Sequence, residues 1–379
     1  MRKERAIAVM LAIGLVAILL AGCGDTSAVE EPAPTPAGPG APVTVTDLAG
    51  RAVEVPESVE SVVALGPGTL RLLCYVGAVD RVIGIEEIET RTPIQRPYLL
   101  AYPELLELPV IGPGGPDSTP DAERILAAGP DVIFIAQIVD KDAADKLQAA
   151  TGIPVFVVTY GDLGSFDEAL FDSVELIGEV LGVQPRAADV VGFVRDAIDD
   201  LAARGADVPE VGRPSVYAGA LGFKGLQGIE STQGRYPPFA AIGANSVTAS
   251  LDQKGSVIID KEQLLEWDPD YLFIDRSGLP LVLEDISANR GLYEALGAVR
   301  QGRVHAQIPF NNYWTNVETA LANSYYAGTV LFPDEFADVD AAAKLDDISE
   351  HLLGTPLHDQ LFEVYGGGFG TIDLLADGE

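Results

Sequence analysis

Aromatic, amide and cationic side chains are concentrated in two stretches of the second half of the chain. One is the glycine-rich run 219–239, and the other follows Ile308. Aromatic faces supply contact area and cations supply charge in an otherwise acidic protein, a combination that favours binding of a planar or carboxylate-rich small molecule. The candidate contact residues are Lys224, Arg235, Tyr236, Asn311, Asn312, Tyr313 and Trp314. Loop aromatics also often cover a hydrophobic core, and the composition leaves that alternative open.

Three further candidates lie in the first half of the chain, where predicted strands end. Ligands of open α/β sheets bind at the loops that follow the carboxyl ends of the strands, and this rule selects Thr69, Gln137 and Tyr160. Thr69 opens a predicted helix, so its hydroxyl and the nearby backbone N–H groups would suit an anionic group. The alternative is that Thr69 only caps the helix.

The sequence lacks the motifs of common enzyme classes. It has no G-x-S-x-G elbow, no H-E-x-x-H pair and no P-loop. Its three histidines, His305, His351 and His358, show no metal-ligand spacing, which disfavours capture of a bare transition-metal ion, although Glu and Tyr could still bind ferric iron directly. We therefore expect no enzymatic activity and no cofactor. The alternative is an extracytoplasmic hydrolase built on paired carboxylates, since acids are abundant.

A repeated unit supplies the elements that position these loops. Glu123 stands seven residues before a Pro-Asp pair and the β-rich run 132–135, and Glu262 stands seven residues before a second Pro-Asp pair and the run 271–274. Each copy predicts a short helix, a turn and a buried strand. The chain is therefore predicted to be an α/β protein with two lobes of similar build.

A single long helix is predicted between the two copies. Pro185 suits a first helical turn, apolar residues recur at three- and four-residue intervals, and Gly205 suits a C-terminal stop. At about 1.5 Å per residue, a helix over 185–205 would span roughly 30 Å, the width of a small domain. The predicted organisation is a first lobe over 43–184, then the helix, then a second lobe with C-terminal helices over 206–379.

The first 22 residues have the layout of an export signal. Three basic residues precede the apolar run 6–20, and the tetrad LAGC ends at Cys23. This tetrad resembles the lipobox of prokaryotic lipoproteins, which implies a lipidated Cys23 after cleavage of residues 1–22; an uncleaved anchor is the alternative. Both interpretations place the rest of the chain outside the cytoplasm, either attached to the outer face of the cytoplasmic membrane or in the periplasm. Residues 23–42, rich in Ala, Pro and Glu, are predicted to be a disordered tether.

Composition and charge restrict the partners. A chain with 47% hydrophobic and 21% charged residues has enough apolar content to fold. Its 24 basic and 57 acidic residues give a net charge of −33, which repels phosphate backbones, so no nucleic-acid partner is expected. Apart from Cys23 the one cysteine is Cys74, inside an apolar run, and no intramolecular disulfide is expected.

Longer stretches of the chain resemble a known family. They are the opening hairpin TDLAGRAVEVP leading into VESVVAL, the two E-x6-PD units with the long helix between them, and, in the second lobe, YAGALGFKGLQGIESTQGRYPPF and PFNNYWTNVETALANSYYAGTVLFPDEF. In these stretches the chain is similar to the extracytoplasmic substrate-binding proteins of ABC importers, in the helix-bridged class that carries iron-siderophore complexes, haem and cobalamin. The resemblance implies two Rossmann-like lobes, a rigid bridging helix and a ligand held in the cleft between the lobes.

The resemblance also implies a ligand class and partners. It favours a metal chelate, first of all a ferric siderophore-type complex, with a corrinoid, haem or a small oxyanion such as molybdate or tungstate as alternatives. An oxyanion would call for a tight cage of Lys224, Arg235 and helix N-termini instead of a broad aromatic cleft. The expected partners are a dimeric transmembrane permease and its cytoplasmic ATPase, and the protein itself is expected to be a monomer.

In this family an acidic residue on the outer surface of each lobe docks onto basic pockets of the permease. The positions that match are Glu123 and Glu262. One like charge per lobe would recognise a two-fold partner by charge complementarity. The alternative is that the helix dipole favours acids in the first turn of any helix.

Overall fold

The computed structural model describes residues 43–115, 118–136, 141–161, 166, 168–251 and 255–376. The predicted signal peptide (1–22), the tether (23–42), the lipidation site Cys23 and the candidate contact residue Gln137 lie outside the described residues. Within the described ranges, no helix combines the length and the apolar character that a membrane crossing requires.

Strands and helices alternate along most of the described chain. The strands are β1 (Val43–Thr46), β2 (Ala52–Val55), β3 (Val62–Leu65), β4 (Ile85–Glu86), β5 (Val110–Gly112), β6 (Val132–Ile135), β7 (Val155–Val157), β8 (Ser215–Gly219), β9 (Ser231–Gln233), β10 (Asn245–Ser246), β11 (Ser256–Ile258), β12 (Tyr271–Asp275), β13 (Val304–Gln307) and β14 (Gly370–Thr371). The α-helices are α1 (Thr69–Tyr75), α2 (Pro97–Ala101), α3 (Ala122–Ala128), α4 (Lys141–Thr151), α5 (Glu168–Leu181), α6 (Gln184–Ala206), α7 (Pro237–Ala241), α8 (Lys261–Trp267), α9 (Leu279–Ala295), α10 (Gly297–Arg300), α11 (Val317–Leu331), α12 (Ala341–Leu353) and α13 (His358–Val364).

The first half of the chain forms a parallel sheet in the order β3-β6-β7, with Val62 opposite Val132. A bridge between Val62 and Val82 brings the parallel pair β4-β5 next to β3. All residues of β3, β6 and β7 are buried, because these apolar strands are covered on both faces. We call this sheet and its helices the first lobe.

The second half of the chain repeats this topology. Its sheet has the order β10-β8-β12-β13-β14, in which only the pairing of β14 is antiparallel. In the second lobe β8 lies between β10 and β12, and in the first lobe β3 lies beside β6 with the β4-β5 pair linked to it through the bridge between Val62 and Val82. We call this half the second lobe, and the predicted α/β class with two related lobes is confirmed.

The repeated Pro-Asp pairs have the same structural role in both lobes. The Asp131 carboxylate accepts hydrogen bonds from the Ser61 backbone N–H at 2.9 Å and from its hydroxyl at 2.8 Å. The Asp270 carboxylate accepts the same two bonds from Ser215, both at 2.8 Å. Asp131 therefore fixes the start of β3 against the turn before β6, and Asp270 fixes the start of β8 against the turn before β12.

The long helix is present as α6 and packs against both lobes. It contacts α5 of the first lobe and α7 and α11 of the second. The buried face includes Val190, Val194 and Leu201, at the spacing that the sequence predicts. The prediction that Gly205 stops the helix is wrong, since α6 continues to Ala206. Instead, Gly205 permits close packing, because a Cβ there would lie 2.1 Å from the carbonyl oxygen of Ile242.

The two sheets and their helices belong to one compact unit that starts at Pro42. The limits of the lobes, 43–184 and 206–379, therefore stay predictions, although the helix between them is observed where it is expected.

Candidate functional site

The loop that follows β13 reaches from the second lobe to the first. Its residue Asn312 is held by two arginines of the first lobe: Arg71 Nη2 donates to the Asn312 carbonyl oxygen at 2.9 Å, and Arg96 Nε donates to Asn312 Oδ1 at 3.1 Å. The Asn312 side-chain amide also donates to Gln95 Oε1 at 3.2 Å. The carboxyl end of the second sheet thus faces the first lobe, where ligands of such sheets bind.

Tyr313 forms the second contact between this loop and the first lobe. Its hydroxyl donates to Glu86 Oε2 at 2.8 Å and accepts from the Gly115 N–H at 3.0 Å. Tyr313 and Trp314 have φ values of 51° and 76°, so two consecutive non-glycine residues adopt the left-handed conformation. Such residues cost roughly 1–3 kcal/mol each and persist only where the surroundings fix them. Here the contacts with the first lobe fix the loop.

Arg71 is a fully buried cation at this junction. It lies on α1 and has no exposed surface. Its Nη1 donates to the Tyr160 hydroxyl at 3.3 Å, and its guanidinium carbon lies 5.0 Å from the centre of the Tyr98 ring. Among the described residues, Arg71 Nε has no hydrogen-bond acceptor and the guanidinium has no carboxylate within 4.0 Å. We call Arg71, Tyr160, Asn312, Tyr313 and Trp314 the inter-lobe cluster.

Aromatic surface lines the same junction. The rings of Tyr160 and Trp314 lie 6.4 Å apart, and the Tyr160 hydroxyl donates to the Gly68 carbonyl oxygen at 2.8 Å. Trp314 Nε1 is buried and has no acceptor in the part of the chain that the structure describes. Burial raises the pKa of Tyr160 to about 12, so its hydroxyl stays protonated. The junction therefore offers two aromatic rings, an indole N–H and a cation.

The acids near the junction are neutralised by other groups. Glu86 is 5% exposed and accepts from the Gly66 N–H at 2.9 Å as well as from Tyr313. Burial raises the pKa of Glu86 to about 7, although these hydrogen bonds lower it. Glu89 pairs with Arg96 at 3.2 Å. Glu89 and the fully buried Glu318 interact electrostatically with Arg71, but neither carboxylate lies within 4.0 Å of its guanidinium.

A second set of buried polar atoms lies at the carboxyl end of the second sheet. We call Tyr236, Gln307 and Asn323 the amide–phenol group. The Tyr236 hydroxyl, both amide atoms of Gln307 and Asn323 Oδ1 are buried. Burial raises the pKa of Tyr236, although hydrogen bonds with the side chains of Gln307 and Asn323 lower it. Asp275 lies nearby and is buried; burial raises its pKa to about 7, although the hydrogen bonds from Ser277 lower it.

The predicted site residues divide into two sets. Tyr160, Asn312, Tyr313 and Trp314 meet in the inter-lobe cluster, and Tyr236 belongs to the amide–phenol group. Asn311 is half-buried and forms a β-bridge with Thr315 within the loop.

Three other predicted residues lie outside these two sets. Thr69 is fully buried and its hydroxyl donates to the Leu65 carbonyl oxygen at 2.7 Å, so the hydroxyl is used inside the fold. Lys224 and Arg235 are exposed on the glycine-rich stretch. Their contact with a ligand stays a prediction.

Sequence reasoning missed the central cation. Arg71 stands inside the apolar run 70–76, and a single charge among residues that are buried on all sides was the available signal. Gln307 ends the buried strand β13 in the same way, and Asn323 lies in α11, most of whose residues are buried. Isolated polar residues in otherwise buried elements need partners, so they mark functional sites better than loop composition does.

The histidines take no part in this site. His305, His351 and His358 pack against the aromatic rings of Phe273, Phe193 and Phe362, respectively. The described residues contain no group of three or more His, Cys, Asp or Glu side chains that could hold a metal ion.

Comparison with known proteins assigns this arrangement to a family. Residues 62–306 match the family model described as periplasmic binding protein. The chain is 23% identical over 308 residues to the uncharacterised ABC transporter substrate-binding lipoprotein YvrC of Bacillus subtilis, covering 81% of this chain and 91% of that protein. It is also 23% identical over 329 residues to the molybdate-binding protein MolA of Haemophilus influenzae, covering 82% of this chain and 91% of that protein.

Solved structures show the same fold. The structure of Haemophilus influenzae MolA bound to molybdate superposes with a TM-score of 0.65 at 20% identity, covering 83% of this chain and 98% of that one. The TroA-like periplasmic binding protein FepB of Veillonella parvula superposes with a TM-score of 0.63 at 23% identity, covering 83% of this chain and 97% of that one. The chain belongs to the periplasmic binding protein family and has its helix-bridged fold: it is an extracytoplasmic solute-binding protein of an ABC importer, and not an enzyme.

Proposed function

We propose that the protein captures an anionic metal chelate, first of all a ferric siderophore-type complex, between its two lobes and delivers it to the permease. The observation that carries this proposal is Arg71, a fully buried cation that has no carboxylate within 4.0 Å among the described residues. Burying a charge without an ion-pair partner is costly, and Glu89 and Glu318 interact with Arg71 only from beyond 4.0 Å. An anionic group beside Arg71 would offset this cost and would take a charge-assisted hydrogen bond from its Nε.

The aromatic side chains of the inter-lobe cluster favour a chelate with apolar surface. Tyr160 and Trp314 present two rings beside Arg71, and Trp314 Nε1 is a further buried donor. Organic ligands bind where apolar walls surround a few placed polar groups. A chelate whose organic shell contacts the rings and whose anionic group contacts Arg71 satisfies both parts of the site.

A small oxyanion is the second candidate. The relative MolA is named as a molybdate-binding protein and matches 82% of the chain. Arg71 alone would supply the charge in this case, because Lys224 and Arg235 are exposed. Molybdate is therefore the second probe in the experiments below.

Titration of Arg71 variants tests the proposal. Wild type, Arg71→Gln and Arg71→Lys are titrated by calorimetry with molybdate and with the ferric complex of a trihydroxamate siderophore that bears a free carboxylate. We expect Arg71→Gln to lose about 10- to 100-fold in affinity and Arg71→Lys to lose less, because lysine keeps the charge without the forked donors. Arg195→Gln, which removes an equal charge from the exposed side of α6, is the control. A folded Arg71→Gln with wild-type affinity for the chelate would overturn the proposal.

We also propose that Glu123 and Glu262 dock onto the permease. Both are exposed in the first turn of their helices, α3 and α8, and these helices occupy equivalent places in the two lobes. Their equivalence supports recognition of a partner with two-fold symmetry through one acid per lobe.

Charge reversal separates docking from ligand binding. Glu123→Lys with Glu262→Lys should leave chelate affinity within about twofold, since neither residue lies in the inter-lobe cluster, but should abolish uptake by cells that carry the permease. The control is Glu54→Lys with Glu284→Lys, which reverses one exposed acid per lobe elsewhere on the surface. Equal uptake by the two double variants would reject the docking role.

We further propose that a lipid on Cys23 anchors the protein and that residues 23–42 tether it. The LAGC tetrad supports this, as does a relative that is named a lipoprotein. Wild type should enter the detergent phase in a phase-partition experiment, and mass spectrometry should show a chain that begins at a lipid-modified Cys23. Cys23→Ser should keep residues 1–22 and carry no lipid. A membrane-bound wild type with an unmodified Cys23 would reject the anchor.

A further inference from the structure

The loop that follows β13 joins the two lobes through hydrogen bonds between groups of this chain. Arg96 Nε donates to Asn312 Oδ1 at 3.1 Å, and the Asn312 side-chain amide donates to Gln95 Oε1 at 3.2 Å. The Tyr313 hydroxyl donates to Glu86 Oε2 at 2.8 Å. Both partners of each bond belong to the protein, so the loop can hold the lobes together without a solute.

The same loop occupies donors of the Arg71 guanidinium. Nη2 donates to the carbonyl oxygens of Asn312 at 2.9 Å and of Tyr313 at 3.4 Å, whereas Nε has no acceptor among the described residues. A carboxylate that binds an arginine with both oxygens takes two parallel N–H bonds, and Nε with Nη2 is one such pair of donors. A carboxylate that uses this pair therefore competes with the loop for Nη2.

The backbone of the loop is strained in this arrangement. Tyr313 and Trp314 have φ values of 51° and 76°, a conformation that non-glycine residues keep only where their surroundings fix them. Separation of the lobes removes the contacts that fix these two residues. The strain therefore favours release of the loop, and the hydrogen bonds to Glu86, Gln95 and Arg96 oppose it. A few hydrogen bonds thus decide between a closed and a released loop.

Other contacts between the lobes lie next to the bridging helix. The Val317 N–H donates to the Tyr75 hydroxyl at 3.1 Å, and Arg186 of α6 donates to the Tyr75 carbonyl oxygen at 3.0 Å. Tyr75 and Val317 are buried, and α6 itself packs against helices of both lobes. A tilt of the lobes about these contacts would release the loop and leave α6 packed.

We propose that the loop 311–314 is an autoinhibitory latch: it keeps the lobes closed and occupies Arg71 with its own carbonyl oxygens, so the lobes must open before a solute binds. The part that concerns Arg71 rests on the proposed function, whereas the closing of the lobes by the loop does not. The latch lowers the apparent affinity for any solute in proportion to the open fraction of the protein. A solute whose anionic group replaces the loop at Arg71 overcomes this inhibition.

The distance between the lobes tests the latch. Spin labels are attached to a ketone-bearing amino acid introduced at Ala127 of α3 and at Glu266 of α8, which are exposed positions on the equivalent helices of the two lobes. This chemistry leaves the cysteines unmodified. Double electron–electron resonance then measures the distribution of label distances in protein that has been refolded from urea to remove bound solute.

Three variants are compared with wild type. Tyr313→Phe removes the hydroxyl that bonds to the first lobe, and Gln95→Ala removes the acceptor of the Asn312 amide. Tyr217→Phe is the matched control, because the buried Tyr217 hydroxyl donates to the Ile229 carbonyl oxygen within the second lobe, at 2.7 Å. Thermal unfolding of each variant shows whether it is folded.

The expected results separate opening of the lobes from loss of stability. Tyr313→Phe and Gln95→Ala should each raise the population with the longer distance about 3- to 10-fold over wild type, the effect of losing one or two hydrogen bonds from a two-state equilibrium. Tyr217→Phe should lower the midpoint of thermal unfolding and keep the wild-type distances. Gln95 is half-buried, so its variant decides the question if Tyr313→Phe does not fold. Wild-type distances in folded Gln95→Ala overturn the latch.

The association rate tests the inhibitory role and distinguishes this inference from the proposed function. Gln95→Ala, which lies outside the inter-lobe cluster, should bind the carboxylate-bearing ferric trihydroxamate about 3- to 10-fold faster than wild type in stopped-flow fluorescence, because binding requires open lobes. An unchanged rate despite longer distances rejects the inhibition. Longer distances in a protein that does not bind the chelate support the latch and reject the proposed function. Chelate binding that depends on Arg71, together with wild-type distances in Gln95→Ala, rejects the latch and leaves the proposed function in place.

Discussion

Protonation of Glu86, at the junction between the lobes, makes the stability of the protein depend on pH. Its carboxyl group is buried and accepts hydrogen bonds from Tyr313 of the second lobe and from Gly66 of the first. Burial raises its pKa from 4.5 to about 7. A raised carboxyl pKa means that the folded protein holds a proton that the unfolded chain releases, so stability is lost as the pH rises between these two values.

We therefore predict that the free energy of unfolding of wild type falls between about pH 4.5 and about pH 7. Glu86→Gln keeps an acceptor oxygen for Tyr313 but does not titrate, so its unfolding free energy should change about 1–3 kcal/mol less over this range. Burial also raises the pKa of Asp275 to about 7. Asp275 therefore adds a similar pH dependence to the unfolding free energy, and this part remains in Glu86→Gln. Urea denaturation at about pH 5 and about pH 7.5 measures the difference, with Glu54→Gln on the exposed side of β2 as the control. Identical pH dependence in wild type and Glu86→Gln would contradict this assignment.

Individual residues of the site could be predicted only in part. Asn312, Tyr313 and Trp314 follow a strand that the sequence reveals, and the rule for strand ends places them at the junction. The side to which a loop residue points depends on packing that the sequence does not show, so Lys224 and Arg235 proved to be exposed. Arg71 became recognisable only through its contacts with Asn312 and Tyr313, which lie more than 200 positions later in the sequence.

The helix α6 provides a test of packing at the level of one element. Gly205 lies against the backbone of Ile242, where a Cβ would approach the carbonyl oxygen to 2.1 Å, whereas a Cβ at Gly192 of the same helix meets no atom within 4 Å. Gly205→Ala should therefore destabilise the protein by about 1–3 kcal/mol through overpacking. Gly192→Ala should stabilise it by about 0.5–1 kcal/mol, because alanine has the higher helix propensity.

Urea denaturation of both glycine variants measures these opposite signs. The two substitutions add the same methyl group to the same helix, so each serves as the control for the other. Equal effects of the two changes would show that α6 does not depend on close contact with α7.

Elements were more predictable than residues because periodicity and turn residues are local. The apolar spacing of α6, the two Pro-Asp turns and the buried strands β6 and β12 are all visible in the sequence. The role of Gly205 is not visible in the sequence, because a glycine near a helix end has the same local pattern whether it stops the helix or permits close packing. The partner Ile242 decides between these possibilities, and it comes from a different element.

At the scale of the whole molecule, the net charge of −33 should repel an anionic solute as it approaches the protein. Like charges slow association, and salt screens this repulsion. We predict that the association rate of the anionic ferric hydroxamate rises about 2- to 10-fold as the salt concentration increases from about 0.01 M to about 0.5 M. Stopped-flow measurement of tryptophan fluorescence reports it, with sucrose of equal osmolality as the control. A rate that falls with salt would indicate attraction, and hence a cationic solute or a positive field at the entrance.

The central claim is that an anionic solute is held beside Arg71 between the lobes. The most direct measurement is native mass spectrometry, with elemental analysis, of wild type and folded Arg71→Gln purified from the native host. We predict that wild type retains an anionic metal complex and that Arg71→Gln is purified without it. A retained solute that is neutral or cationic, or equal retention by both proteins, would contradict this account.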